Sequence, residues 1–161
     1  PVAGAPPAPI RRVWHVGVAV HDLEARMKAC RALLGVTDWS VVELRPEAAT
    51  LDGRPVENAF LVARAPLAGF ELELIQPTVE PTHYRRELLD RYGEGIHHVL
   101  ALPRLTDAEL AETRAWMAAR GVPVAMSGGV RGGAAEFFYF DTRALLGGYL
   151  LEAIVRRDGR V

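Results

Sequence analysis

The chain has 161 residues, 50% hydrophobic and 24% charged, the balance of one soluble globular domain able to bury a core. A formal net charge of −1 gives no electrostatic reason to expect nucleic acid or an anionic membrane as partner, and no apolar run approaches the roughly 18 residues that span a bilayer. Cys30 is the only cysteine, which excludes a disulfide within the chain; with no signal peptide visible, the expected setting is a reducing cytoplasm.

Residues 1–10 hold four prolines and three alanines and read as a flexible lead-in. From Trp14 to Val20, larger apolar residues alternate with small or polar ones, as in a strand with two unlike faces. Trp14, Val16, Val18 and Val20 share one face. His15, Gly17 and Ala19 share the other, where Gly17 and Ala19 leave space beside the histidine. Asp22 stands at an N-cap position, Leu23, Met27, Cys30, Leu33 and Leu34 recur at helical spacing, and Gly35 closes the helix. Three strand-like runs follow, over 39–44, 58–64 and 70–76. Residues 81–92 suit a short connector helix, with Pro81 in its first turn and Gly93 at its end.

The same order then starts again. A strand over 97–102 leads through a turn at Pro103-Arg104-Leu105 to Thr106-Asp107-Ala108-Glu109, a capping-box pattern. A helix carrying Leu110 and Met117 ends at Gly121-Val122, as the first ends at Gly35-Val36. Strand-like runs follow over 122–126, 135–140 and 149–154, broken by Gly128-Gly129, Gly132-Gly133 and Gly147-Gly148. Ser127–Gly133 reads equally as a flexible rim over a pocket or as a plain hairpin loop. Of the aromatics Phe137, Phe138, Tyr139 and Phe140, half should face the helix and half a cavity. The expected fold is α+β: two tandem βαβββ modules in one curved mixed sheet around a central cavity. Its boundaries are a lead-in over 1–10 and a single domain over 11–157, with module one at about 11–78, the connector at about 81–92 and module two at about 94–157.

A duplicated unit that does chemistry should do it with matching positions. His15 and His98 lie on the first strand of each module, and Glu73 and Glu152 on the last. Glu73 follows His15 by 58 residues, and Glu152 follows His98 by 54. Phe70, Leu72 and Leu74 share one face of their strand, and Glu71, Glu73 and Ile75 the other. Leu150, Glu152 and Ile154 oppose Tyr149, Leu151 and Ala153. A glutamate in so apolar a run is costly unless paired or metal-bound. By itself this pattern leaves Glu71 open against Glu73, and His97 against His98.

The segments His15-Val16-Gly17-Val18-Ala19-Val20, Glu73-Leu74-Ile75-Gln76-Pro77, Gly93-Glu94-Gly95-Ile96-His97-His98 and Gly147-Gly148-Tyr149-Leu150-Leu151-Glu152 resemble the vicinal oxygen chelate superfamily of glyoxalases, bleomycin resistance proteins and extradiol dioxygenases. The likeness runs from about Val13 to Arg156. The Gly-Glu-Gly-Ile-His-His run is most similar to methylmalonyl-CoA epimerases, which implies His98 rather than His97, and Glu73 rather than Glu71, as metal ligands. Two departures stand out. Asp141-Thr142 replaces the His-Pro pair usual in such epimerases, and Ala29-Cys30 lies where an aromatic pair is common.

The resemblance implies a glyoxalase-like fold with one divalent ion (cobalt, nickel, manganese or zinc) held by His15, Glu73, His98 and Glu152. It further implies an isomerase or epimerase that moves a proton next to a carbonyl through a metal-stabilised enolate. Glu152 or Glu73 is then the candidate base, with Glu57 and Glu136 as weaker candidates. Arg45, Arg64, Arg131 and Tyr139 are candidate substrate contacts, arginine being suited to an anionic group. The expected partner is a small molecule, an acyl-CoA or a 2-oxo compound. Proteins of this fold often pair, so a homodimer is a further expectation. A glyoxalase I-like lyase is the second enzyme reading; a fourth ligand argues against an iron-dependent extradiol dioxygenase. A resistance protein of the same fold, binding its ligand without catalysis, is the alternative of another class.

Overall fold

The computed structural model describes residues 4–8, 10–80 and 82–157; Pro81, and Pro1–Ala3 and Pro9 of the lead-in, lie outside the described residues. The strands are β1 (His15–Ala19), β2 (Ser40–Leu44), β3 (Glu47–Leu51), β4 (Arg54–Pro55), β5 (Phe60–Leu67), β6 (Phe70–Pro77), β7 (Gly95–Leu105), β8 (Val124–Val130), β9 (Ala135–Phe140) and β10 (Leu150–Arg156). They form one mixed sheet in the order β2-β5-β6-β1-β7-β10-β9-β8-β3-β4. β1 pairs in parallel with β6, β7 pairs in parallel with β10, and β1 meets β7 antiparallel at the junction of the two repeats. The sheet curls around a cavity of about 990 Å³ lined from both repeats.

The helices are α1 (Leu23–Leu34), α2 (Asp90–Tyr92), α3 (Asp107–Ala118) and α4 (Arg143–Leu146). At the start of α1, Asp22 accepts from the Ala25 N–H at 2.9 Å, and Gly35 ends it at φ 70°, a conformation a β-carbon disfavours. Thr106 and Glu109 cap α3 reciprocally, at 2.8 and 3.2 Å. α1 covers Val20, Leu23, Ala63, Leu72 and Leu74; α3 covers Leu102, Phe138, Phe140, Leu151 and Val155. Leu33 and Leu34, expected on the buried stripe of α1, are exposed instead. Among the described residues no helix is long and apolar enough to cross a membrane.

Two local expectations need correction. Gly128 and Gly129 do not break a strand; they lie inside β8, where a β-carbon on Gly128 would come within 2.8 Å of Pro46 and 3.1 Å of Phe137. The turn is Arg131–Ala134. Pro103-Arg104-Leu105 is not a turn either, but the end of β7. Pro103 has no N–H for the ladder, and the β10 register shifts beside it, from Ala153↔Leu102 to Val155↔Leu105. β3 and β4 were not foreseen: β3 crosses to pair with β8 of the other repeat, so module one supplies an edge to module two. The connector winds as a π-helical turn over Arg85–Leu89 before α2, and its Tyr84 and Leu89 pack into the core with Phe60, Ile75 and Tyr139.

Candidate metal centre

Register brings the four paired residues together. One row across the sheet reads Glu73, Gly17, His98; the next reads His15, Leu100, Glu152. In each, a carboxylate and a histidine are separated by one strand, and all four residues are buried. His15 Nε2 lies 3.0 Å from His98 Nε2 and 2.7 Å from Glu152 Oε2, and His98 Nε2 lies 3.3 Å from that same oxygen. The ligand atoms of His15, His98 and Glu152 all fall within 4.8 Å of one another. Glu73 Oε2 approaches the same imidazoles, at 3.2 Å from His98 Nε2 and 3.8 Å from His15 Nε2.

These separations are compatible with a shared metal ion. Adjacent ligands at bond lengths of roughly 2.1 Å around an octahedral ion stand roughly 3.0 Å apart. Glu152 Oε2 is buried and, although close to two imidazoles, accepts no aligned hydrogen bond. Two imidazoles and two carboxylates suit cobalt, nickel, manganese or zinc.

Charge is balanced tightly here. Burial disfavours both carboxylate anions, but the imidazoles and, at Glu73, Arg64 outweigh it: Glu152 is lowered to about 2 and Glu73 further. Burial also opposes charging of His98, yet Glu152 and Glu73 raise it to about 9 in the metal-free protein. Arg64 donates to Glu73 Oε1 at 2.6 Å and lies 3.6 Å from Glu71. One oxygen of Glu73 is therefore held by a cation while the other faces the histidines.

Gly17 is there for space. A β-carbon on it would stand 2.1 Å from His98 Cε1 and 2.5 Å from both ring nitrogens. Tyr139 packs against the other side of the His98 ring, centroid to centroid 4.6 Å, and its hydroxyl meets that of Tyr84 at 2.8 Å. Behind His98 stand two more imidazoles: His97 Nδ1 is 3.0 Å from His98 Nδ1, and His97 Nε2 is 2.9 Å from His83 Nδ1. His83 reaches a second cleft of about 590 Å³ beside Glu87, Asp141 and Arg143.

The remaining sequence candidates divide. Arg64, Arg131 and Tyr139 line the cavity. Arg45 and Glu57 do not; both are exposed on the outer surface, Arg45 pairing with Glu43 at 2.7 Å and lying 3.8 Å from Glu57. Glu136 points to the α3 side of β9 and pairs with Arg157 at 3.1 Å. The alternation along β9 explains this: Ala135, Phe137 and Tyr139 face the cavity, and Glu136, Phe138 and Phe140 face away. Sequence reasoning missed Arg12, Arg104 and Arg156, which also line the cavity, and the buried His83 and Tyr84 of the connector.

His83 carries a pH consequence. Burial, then the Arg143 charge, lowers it to about 4, with Arg86 adding to the effect and Glu87 and Asp141 opposing. A histidine whose folded value lies below its unfolded one takes up protons preferentially when unfolded, so stability falls with pH between about 6.5 and 4. The shift corresponds to about 3 kcal/mol. Urea unfolding at pH 7 and pH 4.5 should therefore show His83→Gln losing less stability over that interval than the wild type; an equal loss would show that His83 contributes nothing to acid lability.

Residues 14–140 match the family model of the Glyoxalase/Bleomycin resistance protein/Dioxygenase superfamily. Among solved structures, methylmalonyl-CoA epimerase from Mycobacterium tuberculosis is 22% identical over 97% of this chain and 95% of that one, with a TM-score of 0.55. A variant of the Streptomyces coelicolor methylmalonyl-CoA epimerase in complex with 2-nitronate-propionyl-CoA is 24% identical over 92% of this chain and 99% of that one, at 0.58. A hypothetical protein from Bacillus halodurans C-125 is 19% identical over 93% and 97%, at 0.59. At such identities the likeness is one of fold. No curated protein matches. The doubled β-α-β-β-β order, the curled ten-stranded sheet and the family match over most of its length agree: the chain belongs to the glyoxalase, bleomycin resistance protein and dioxygenase superfamily.

Proposed function

We propose that the protein is a divalent-metal-dependent isomerase or epimerase that moves a proton next to a carbonyl. The observation that carries this reading is the convergence of His15, His98, Glu152 and Glu73, of which His15, Glu73 and Glu152 line a large cavity. An ion held there would act as a Lewis acid on a substrate carbonyl and stabilise the enolate left when the neighbouring proton departs. The protein must supply the base. Arg64 grips Glu73 through Oε1, whereas among the described residues Glu152 carries no such cation, so Glu152 is the better candidate to take the proton, which it would do only by letting go of the ion.

The cavity also fits an anionic substrate. Arg12, Arg104, Arg131 and Arg156 line it, and among the described residues none has a carboxylate within ion-pair distance. Arg12 and Arg104 instead lie against Trp14, at 3.8 and 5.6 Å from the ring centroid. These arginines, which share the lining with Glu43 and Glu71, suit a ligand with several negative charges, as an acyl-CoA has. The epimerase neighbour bound to 2-nitronate-propionyl-CoA is consistent with this class.

The test is exchange of solvent deuterium into the α-position of methylmalonyl-CoA and of simple 2-oxo acids by cobalt-loaded protein. Incorporation that is lost when cobalt is stripped and returns when it is added back is the expected result. No exchange into any of them, by protein shown to hold metal, would overturn the proton-transfer reading. Turnover of a glutathione hemithioacetal instead would identify the lyase reading.

A further inference from the structure

We propose that His97 and His83 are positioning residues for the His98 ligand, a chain of imidazoles that runs from behind it to the second cleft and holds its ring and tautomer. This rests on the metal-centre reading and goes beyond its four ligands. In the pairing of β7 with β1, Gly17 faces His98 and Val18 faces Ile96, so His97 is the extra residue of a bulge. Successive strand residues normally point to opposite faces. The bulge instead lets two consecutive imidazoles meet, at 3.0 Å between their Nδ1 atoms.

The hydrogen-bond roles follow from that geometry in one direction only. If His98 gives its Nε2 lone pair to a metal, its proton is on Nδ1 and is donated to His97 Nδ1. His97 then carries its own proton on Nε2 and donates it to His83 Nδ1, 2.9 Å away. His83 is left protonated on Nε2, toward the second cleft. Each neutral imidazole has one donor and one acceptor, so fixing one end fixes all three. Three ring contacts hold the middle of the chain: the His97 ring centroid lies 5.0 Å from His83, 4.4 Å from Tyr84 and 5.2 Å from Tyr139. A ligating histidine whose second nitrogen is hydrogen-bonded is held in ring orientation and tautomer, and losing such a partner typically costs roughly 10- to 100-fold in metal affinity.

The experiment uses the full chain titrated with cobalt(II), read by calorimetry and by the visible spectrum of the bound ion. His97→Phe should weaken binding roughly 10- to 100-fold and shift the spectrum, and His97→Gln, whose amide oxygen can accept from His98 Nδ1, should recover most of both. His83→Phe should give a smaller shift in the same sense. Because His97 is buried and a variant could misfold, the wild type is also examined directly: long-range proton–nitrogen correlations on zinc-loaded, histidine-labelled protein should show His98 protonated on Nδ1, and His97 and His83 on Nε2. A His97 protonated on Nδ1, or cobalt affinity and spectrum unchanged in folded His97→Phe, overturns the positioning role while leaving the metal centre standing. Wild-type protein that takes up neither ion removes both.

Discussion

Gly17→Ala is expected to abolish metal binding while leaving a folded protein. The added methyl carbon would lie 2.1 Å from the His98 ring, far inside van der Waals contact. β1 cannot retreat, because it is paired on one side to β6 and on the other to β7. The ring must therefore move, and Tyr139 and His97 close off its other sides. Overpacking of this kind costs about 1–3 kcal/mol, an amount most folded domains survive. The observable loss is in the site: metal content measured after dialysis should fall from one equivalent to less than about a tenth, corresponding to at least roughly 100-fold weaker binding. Retention of one equivalent by folded Gly17→Ala would mean that His98 is not a ligand in the orientation described. A glycine in mid-strand is usually a weakness. Here it is the residue that makes room for a ligand.

Glu152→Ala is the second large expected effect. Glu152 is the carboxylate closest to His15 and shares its Oε2 between both imidazoles. Removing it takes away a negative charge at a site where burial makes that charge costly to hold and its loss costly to a cation. The affinity for cobalt should drop by at least ~1,000-fold, about 4 kcal/mol. Glu73→Ala should cost less, because Glu73 shares its charge with Arg64. Glu57→Ala and Glu136→Ala should leave cobalt binding unchanged, their side chains pairing with surface arginines away from the cavity. The ranking is the informative outcome: a Glu136 variant as damaging as Glu152→Ala would contradict the facing of β9 and β10.

Much of this site was legible in the chain because duplication writes it twice. His15 and His98 open their repeats and Glu73 and Glu152 close them, and strand alternation alone turns Glu152 inward with Leu150 and Ile154. Other features were carried by non-local pairing. β3 finds its partner in β8, more than 70 residues away in sequence, and no local pattern announces that. Its hairpin to β4 did have a local sign: Asp52-Gly53 has both residues at positive φ, 51° and 75°, the conformation of a type I′ turn. His97 was ambiguous for a physical reason, since the bulge that turns it toward His98 is a property of the register between β7 and β1. The cavity arginines escaped notice because Arg12, Arg104 and Arg156 lie at strand ends or outside strands, where a charged residue reads as surface.

The charge arrangement explains how such a site persists without its ion. His98, raised to about 9 by Glu152 and Glu73, and Arg64 together supply two positive charges against the two carboxylates, so the buried charges are paired in the metal-free protein.

The most direct test of the whole account is a metal titration of the full chain purified without added ions. Cobalt, nickel, manganese or zinc should bind with one equivalent per chain and raise the thermal midpoint, since a ligand that binds only the folded state stabilises it by RT ln(1 + [L]/Kd). Substoichiometric uptake of all four, with no rise in midpoint, would contradict the metal centre and with it the proposed chemistry.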